Sequence, residues 1–313
     1  MLGKTAGGLF WMFRYLERSE NTARLIDAGF RMALVRGGAL AEEWASVIDT
    51  AGARAAYLAK HGSFEGPAVV DFLLRDPENP SSVVSAIEAA RSNARLVRTA
   101  LTREVWEATN EAWMSLKEAL RRPVREPDLP HVLELVRQRS ALVRGALHGS
   151  MLRNDGYDFA RIGTFLERAD NTARILDVKY YVLLPSLAQI GSSLDNMQWE
   201  TVLRSVAGQR AYRWLTGGEI MPMGIAEFVI LDGRMPRSLA FSVAKLSDNL
   251  GYLEREYGTR HACHDLVAAL HASLSGQTID AIFEYGLHQF LTDFLRDIAA
   301  LGLQIEQDYR FYG

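Results

Sequence analysis

A chain of 313 residues with 48% hydrophobic and 23% charged residues has an ordinary globular composition, long enough for one large or two intimately packed domains. Its formal net charge of −3 excludes a broadly basic surface for nucleic acid or anionic membrane, and a single cysteine, Cys263, excludes an internal disulfide. No apolar run approaches the roughly 20 residues that span a bilayer, and Met1 to Gly8 lack the apolar core of a signal peptide, so the cytoplasm is the expected location.

Helical periodicity runs the length of the chain and alternating β-branched stretches are scarce, which predicts an all-α multi-helix bundle. Helices are expected near 6–36, 40–60, 66–74, 80–102, 104–121, 128–152, 156–190, 195–216, 219–231, 236–257, 260–273 and 277–309. Breaks are expected at Gly37-Gly38, Gly62, Pro77 to Pro80, Pro123 to Pro130, Gly217-Gly218, Pro236 and Gly258, and Pro185 should kink or end its helix.

The first of these helices carries Tyr15 to Asp27, and a close copy returns as Phe165 to Asp177. Eight of the thirteen positions are identical, and the rest exchange residues of like size or charge. An apolar stripe alone would not require the same Glu, Arg, Asn, Thr, second Arg and Asp twice. At about 100° per residue, with Glu17 as zero, Arg24 falls near −20°, Glu20 near −60°, Asp27 near −80° and Asn21 near +40°. Glu20 and Arg24 are an i,i+4 pair, and Arg24 and Asp27 an i,i+3 pair. Glu167, Asp170, Asn171, Arg174 and Asp177 repeat the pattern. Tyr15, Leu16, Thr22, Ala23, Ile26 and Phe30 fill most of the other face, so each copy reads as an amphipathic helix with one acid–amide–guanidinium strip.

Similarity continues beyond the motif. Trp44 to Leu74 resembles Trp199 to Ile230, with Ala51-Gly52 set against Ala207-Gly208, and Asp76, Pro80 and Asn93 correspond to Asp232, Pro236 and Asn249. This predicts two related halves, approximately 1–153 and 154–313, about a pseudo-twofold axis. Two readings of the strips are open. They are solvated faces laced with ion pairs worth about 0.3–0.5 kcal/mol each, or they face a common cleft where arginine forks and carboxylates hold a polar ligand.

Other chemistry is weaker. His261, Cys263, His264 and Asp265 are metal-ligand types, but two adjacent histidines without a paired Cys-x-x-Cys or His-Glu-x-x-His make a poor zinc set. A di-iron bundle would require Glu-x-x-His, which is absent, and Arg24 and Arg174 oppose a cation site. No phosphate loop or nucleophile elbow occurs. No metal and no cofactor is expected. Arg210, Arg213, Glu219, Glu227, Asp232, Arg234 and Arg237 form a polar set around Gly217-Gly218 and Pro236, read as pairs that fix a turn, with a contribution to a pocket shared with the motif helices as the alternative.

Taken together, Tyr15 to Arg24, Phe165 to Arg174, Asp177 to Tyr181, Arg210 to Trp214, Gly217 to Glu219, Arg234 to Leu239 and Gln304 to Arg310 resemble the bacterial alpha-E domain over essentially the whole chain, 1–313. Lys4 stands where that family often has Arg, and Ala6-Gly7-Gly8 replaces a more polar run. The resemblance implies partnership with a circularly permuted ATP-grasp ligase, with a transglutaminase-like peptidase as a second partner, in a system that makes, modifies or cleaves peptide or amide bonds. ATP activation would belong to the ATP-grasp partner. On that footing Arg24 and Arg174 would hold a carboxylate or phosphate of a peptide or acyl-phosphate. Asn21 and Asn171 would orient it, and Glu17, Glu20, Glu167 and Asp170 would position an amine or act as acid/base groups. The competing expectation is a non-catalytic interaction or structural module whose strips are salt-bridge networks.

Overall fold

Side-chain caps and prolines set where many of the helices begin. Ser82, Thr102, Ser238 and Thr278 each accept a hydrogen bond from the backbone N–H three residues on, and Pro67, Pro130 and Pro222 stand in first turns where no N–H is missed. The computed structural model describes residues 1–36, 40–181 and 193–312. Among them are fifteen α-helices and no strand. They are α1 (Gly3–Arg36), α2 (Leu40–Thr50), α3 (Arg54–Leu58), α4 (Gly66–Leu74), α5 (Val83–Leu96), α6 (Arg103–Ala119), α7 (Leu129–Ser150), α8 (Asp155–Tyr181), α9 (Ser193–Ser205), α10 (Gln209–Thr216), α11 (Pro222–Ile230), α12 (Leu239–Tyr257), α13 (Ala262–Ser275), α14 (Ile279–Tyr285) and α15 (Leu287–Asp308). The Gly37-Gly38 break, the 182–190 stretch and Pro185 lie outside the described residues.

Three expected helices are each divided in two. The 40–60 segment breaks at Gly52 (φ 65°) and the 195–216 segment at Ala207 (φ 56°), both in the left-handed region. Ala53 N–H reaches the Ile48 carbonyl at 3.1 Å and Gly208 N–H the Leu203 carbonyl at 2.7 Å, the bond that closes a helix C-terminus. Gly52 therefore corresponds to Ala207, one residue away from the alignment expected at these turns. Alanine in that conformation costs about 1 kcal/mol or more, so its φ is imposed by the surrounding packing. The 277–309 segment breaks at Gly286 (φ 103°).

The long helices form two rings of four. In one, α1 packs on α5, α5 on α6, α6 on α7 and α7 back on α1. In the other, α8 packs on α12, α12 on α13, α13 on α15 and α15 back on α8. The rings meet where α1 lies against α8, and α9 and α2 cross over to pack on α1 and α8 respectively. Leu9, Phe10, Met12 and Phe13 of α1 and Phe159, Ala160 and Ile162 of α8 fill the centre. Packed between the two rings, the motif helices bury the glutamates of their polar strips as well as their apolar faces, while Asp170, Asn171 and Arg174 of α8 stay partly exposed. Glu17 and Glu20 are each 1% exposed and Asn21 3%. Of the two readings open for the strip of α1, a solvated face is thus excluded for Glu17, Glu20 and Asn21, because a second polar helix faces them.

The crossing is close. A Cβ added at Gly163 would lie 2.2 Å from the Phe10 carbonyl oxygen, a backbone atom that cannot turn aside. Gly163→Ala should therefore destabilise the protein by roughly 1–3 kcal/mol, as overpacking does. Gly145→Ala, in α7 with nothing within 4 Å of the new Cβ, should stabilise by about 0.5–1 kcal/mol. Urea midpoints of the two variants check this, and equal effects would contradict the close approach of α1 to α8.

Candidate functional site

The two copies of the motif exchange partners across the crossing. Arg168 of α8 grips Glu17 of α1 with Nε to Oε1 at 2.9 Å and Nη2 to Oε2 at 3.0 Å. Arg18 of α1 grips Glu167 of α8 in the same way, with Nε to Oε1 at 2.6 Å and Nη2 to Oε2 at 3.0 Å. Each Glu-Arg dipeptide thus offers its acid to the other helix and receives that helix's guanidinium as a bidentate fork.

Around this shared arrangement the two sites differ. At Glu17, Arg237, from the loop before α12, adds Nη1 to Oε1 at 2.8 Å and to Asn21 Oδ1 at 2.8 Å. Its Nη2 reaches Glu20 Oε1 at 2.7 Å. Arg144 of α7 approaches Glu17 Oε2 at 3.5 Å and pairs with Glu20 Oε2. Arg24 closes the cluster on Glu20 Oε1 with Nε at 2.9 Å and Nη2 at 2.7 Å. The loop is held in turn, since Arg168 Nη1 donates to the Pro236 carbonyl and Thr172 Oγ1 to that of Arg237. At Glu167 the additional donor is Arg14 Nε, 2.9 Å from Oε2, while among the described residues Asp170 is held by Arg174 alone, through Nε at 2.8 Å and Nη2 at 3.1 Å.

The electrostatics follow from burial set against these partners. Burial pushes the Glu17 carboxyl up, but Arg168, Arg237 and Arg144 together hold it well below the usual carboxylate range. Burial likewise raises Glu20, and the Glu17 charge adds to it, yet Arg237, Arg144 and Arg24 bring the net shift down. Glu167 is raised by burial and lowered further by Arg18 and Arg14. Carboxylates held ionised by guanidinium groups in this way are suited to fixing cations and are poorly matched to proton transfer near neutral pH.

A cavity of about 220 Å³ opens beside Glu167. Its walls combine both motif copies, with Arg18, Asn21, Thr22 and Leu25 from α1 and Glu167, Asp170, Asn171 and Arg174 from α8, closed by Thr50, Ala51, Gly52 and Ser81. Of the residues singled out in the sequence, Asn21, Glu167, Asp170, Asn171 and Arg174 meet here, while Glu17, Glu20 and Arg24 belong to the closed cluster next to it. Asn21 joins the two, because its Oδ1 accepts from Arg237 and its buried Nδ2 has no partner. Gly52, in its left-handed turn, faces Arg174, with Nη1 3.6 Å from where a Cβ would stand.

The partners Arg18, Arg168, Arg237, Arg144 and Arg14 were not among the expected site residues. Arg18 and Arg168 carried a signal, since the dipeptide repeats in both copies, but at about 100° from the glutamates they fall off the strip of their own helix. They belong to the strip of the other one. Arg237 belongs to the polar set around Pro236, whose alternative reading, a contribution to a pocket shared with the motif helices, is the one that matches its contacts with Glu17, Glu20 and Asn21, and nothing in the sequence sets Arg144 or Arg14 apart.

Two other clusters have different roles. His264 Nδ1 accepts from His261 N–H at 2.9 Å and caps α13. No group of three or more His, Cys, Asp or Glu placed to hold a metal ion occurs among the described residues. A second cavity, about 620 Å³, lies between α8 and α12 beside the buried Asp158, whose carboxyl is pushed up to about 7 by burial and by Glu256.

The Alpha-E family, described as a predicted alpha-helical domain with a conserved ER motif, matches residues 1–310. Similar curated proteins include an uncharacterized protein of Mycobacterium bovis and one of Mycobacterium tuberculosis, each 27% identical over 276 residues. Another from Mycobacterium tuberculosis is 26% identical over 276 residues. In each case the match takes 80% of this chain but only 30% of the relative's length. No solved structure matches. No single helix among the described residues is long and apolar enough to cross a membrane.

Glu17→Gln should cost about 3–5 kcal/mol in chemical denaturation, because it strands buried guanidinium groups. Asp170→Asn, at a partly exposed pair, should cost about 0–1 kcal/mol. Glu17 and Glu167 titrate lower folded than unfolded, so their stabilisation is present above the unfolded value of about 4.3 and is lost as pH falls below it. Asp158 has the opposite sign. Its folded carboxyl keeps the proton up to about 7, so it lowers stability progressively from about pH 4 to 7. Asp158→Asn should therefore stabilise more at pH 8 than at pH 4, and a gain independent of pH would contradict the shift.

Proposed function

The chain belongs to the Alpha-E family, and from that premise we propose that it is a cytoplasmic, non-catalytic binding component of an ATP-grasp-dependent peptide or amide ligation system. A circularly permuted ATP-grasp partner activates a carboxyl group with ATP. The cavity between α1 and α8 holds an amino-acid or peptide group for that partner, and a transglutaminase-like peptidase acts in the same system.

One observation carries this reading. The motif copies build two acid clusters, one closed by Arg237 and one left open as a cavity with polar groups from both helices on its walls. A protein that needed the strips only as staples would gain by closing both. Glu17, Glu20 and Arg24 are the structural layer in this view, with Glu167 shared between layers. Asp170, Asn171, Arg174 and Asn21 make the ligand-binding rim, and no residue of this chain is assigned a proton-transfer step.

Reconstitution with the ATP-grasp partner tests it. Asn171→Ala should keep the melting temperature within a few degrees and reduce product formation by about tenfold, the loss expected for one charge-assisted hydrogen bond. Unchanged ligation in both Asn171→Ala and Asp170→Asn would remove the cavity from the function and leave the strips as staples.

A further inference from the structure

The loops that precede α5 and α12 have the same construction. Glu78 N–H donates to Asp76 Oδ1 at 2.9 Å, and Arg234 N–H to Asp232 Oδ1 at 2.8 Å. Ser82 N–H reaches the Asn79 carbonyl at 3.0 Å, and Ser238 N–H the Met235 carbonyl at 2.9 Å. Ser82 and Ser238 then cap their helices, each directly preceded by one residue and a proline. The residue between proline and cap is Arg237 in one loop and Ser81 in the other. Arg237 fills the Glu17 cluster; Ser81 lines the cavity at Glu167.

The acceptors that Arg237 uses have counterparts around that cavity. Glu17 Oε1 takes Arg168 Nε and Arg237 Nη1, whereas Glu167 Oε1 takes Arg18 Nε only, among the described residues. Glu20 Oε1 receives Arg237 Nη2, whereas its counterpart Asp170 is bound by Arg174 alone among the described residues. Asn21 Oδ1 accepts from Arg237, and Asn171 has no such donor among the described residues. The cavity occupies the place of a guanidinium that the chain supplies to itself on the other side.

A bare cation is not sufficient, since Arg14, Arg18 and Arg174 already outnumber Glu167 and Asp170. A second, independent observation supplies the remaining group. Asn21 is 3% exposed, lines the cavity, and its Nδ2 has no acceptor. A buried donor left without an acceptor destabilises the fold, and a ligand oxygen would satisfy it. Arg18 and Arg174 both spend Nε and Nη2 on carboxylates and keep Nη1 for such an oxygen.

We propose that this cavity is a receptor for a guanidino amino acid of the arginine type, its guanidinium taking the place of Arg237 among Glu167, Asp170 and Asn171, and its carboxyl or carbonyl oxygen meeting Asn21 Nδ2. This rests on the cavity's being a ligand site, and identifies the ligand class. Free arginine and an arginine residue of a peptide share that chemistry.

Calorimetric titration of the full chain with L-arginine, agmatine, L-citrulline, N-acetyl-arginine amide and N-acetylglycine tests the assignment. L-Arginine should bind; citrulline, of the same shape without the charge, should bind at least about tenfold more weakly, as should agmatine, which lacks the carboxylate. N-Acetyl-arginine amide binding better than free arginine would identify the peptide residue as the source, and the reverse the free amino acid. Ser81→Arg, which returns the chain's own guanidinium to the cavity, should abolish arginine binding and raise the melting temperature. Asp170→Asn gives an independent loss of about tenfold or more should that variant fold poorly. Equal binding of citrulline and arginine, or arginine binding unchanged in Ser81→Arg, would overturn the proposal. N-Acetylglycine binding without arginine would also overturn it while leaving the cavity a ligand site, and binding of no probe, with ligation unaffected by Asn171→Ala, would remove both.

Discussion

The exchange of glutamate and arginine between α1 and α8 is the constraint on which the remaining architecture depends. Two carboxylates buried at the centre of a helical protein are tolerated only because each meets a guanidinium fork from the opposite helix. Such forks admit little sliding, so they set the register of the crossing along with Gly163, which brings the two backbones together. The rings α5–α7 and α12–α15 wrap this pair and exclude water from it. Exclusion of water makes each charge dependent on its partner in a way that exposed ion pairs are not.

A nearly repeated sequence has built two clusters with different occupancy. At Glu17 the loop before α12 delivers Arg237, and Arg144 adds a further charge from α7, so that two carboxylates face four guanidinium groups, those of Arg24, Arg144, Arg168 and Arg237. At Glu167 the matching loop delivers a serine, too short to reach the acids. The space it leaves is lined by polar groups from both helices, among them Asn21, whose buried Nδ2 lacks a partner. One residue at one loop position decides which cluster is part of the core and which is left open as a cavity.

This division also separates two kinds of chemistry within a single strip. The deep carboxylates are fixed in their ionised state by arginines, which suits them to hold the helices and to orient neighbouring donors. The rim residues Asp170, Asn171 and Arg174 are less buried and less committed, and can exchange a partner without exposing a stranded charge. In the function we propose, activation by ATP lies with another protein, and the cavity's part is to select and present.

Much of this was legible in the sequence. The all-α class, most helix positions and the duplicated strip follow from periodicity, capping residues and repetition, because those are local properties of the chain, and the family resemblance rests on its particular sequence strings. The breaks at Gly52, Ala207 and Gly286 were not, since a left-handed residue is imposed by packing and Ala207 gives no compositional warning. A helical wheel places Glu17, Glu20, Asn21 and Arg24 on one face correctly, but it describes a helix alone in solvent. It therefore set Arg18 and Arg168 aside from the strips they complete. Sequence by itself determined that the same acids, amides and arginines stand twice on two helices. Only the tertiary structure decided that each helix's arginine serves the other's glutamate, and that Arg237 closes one cluster while Ser81 leaves its counterpart open, because these contacts join residues 149 to 220 positions apart that local pattern cannot bring together.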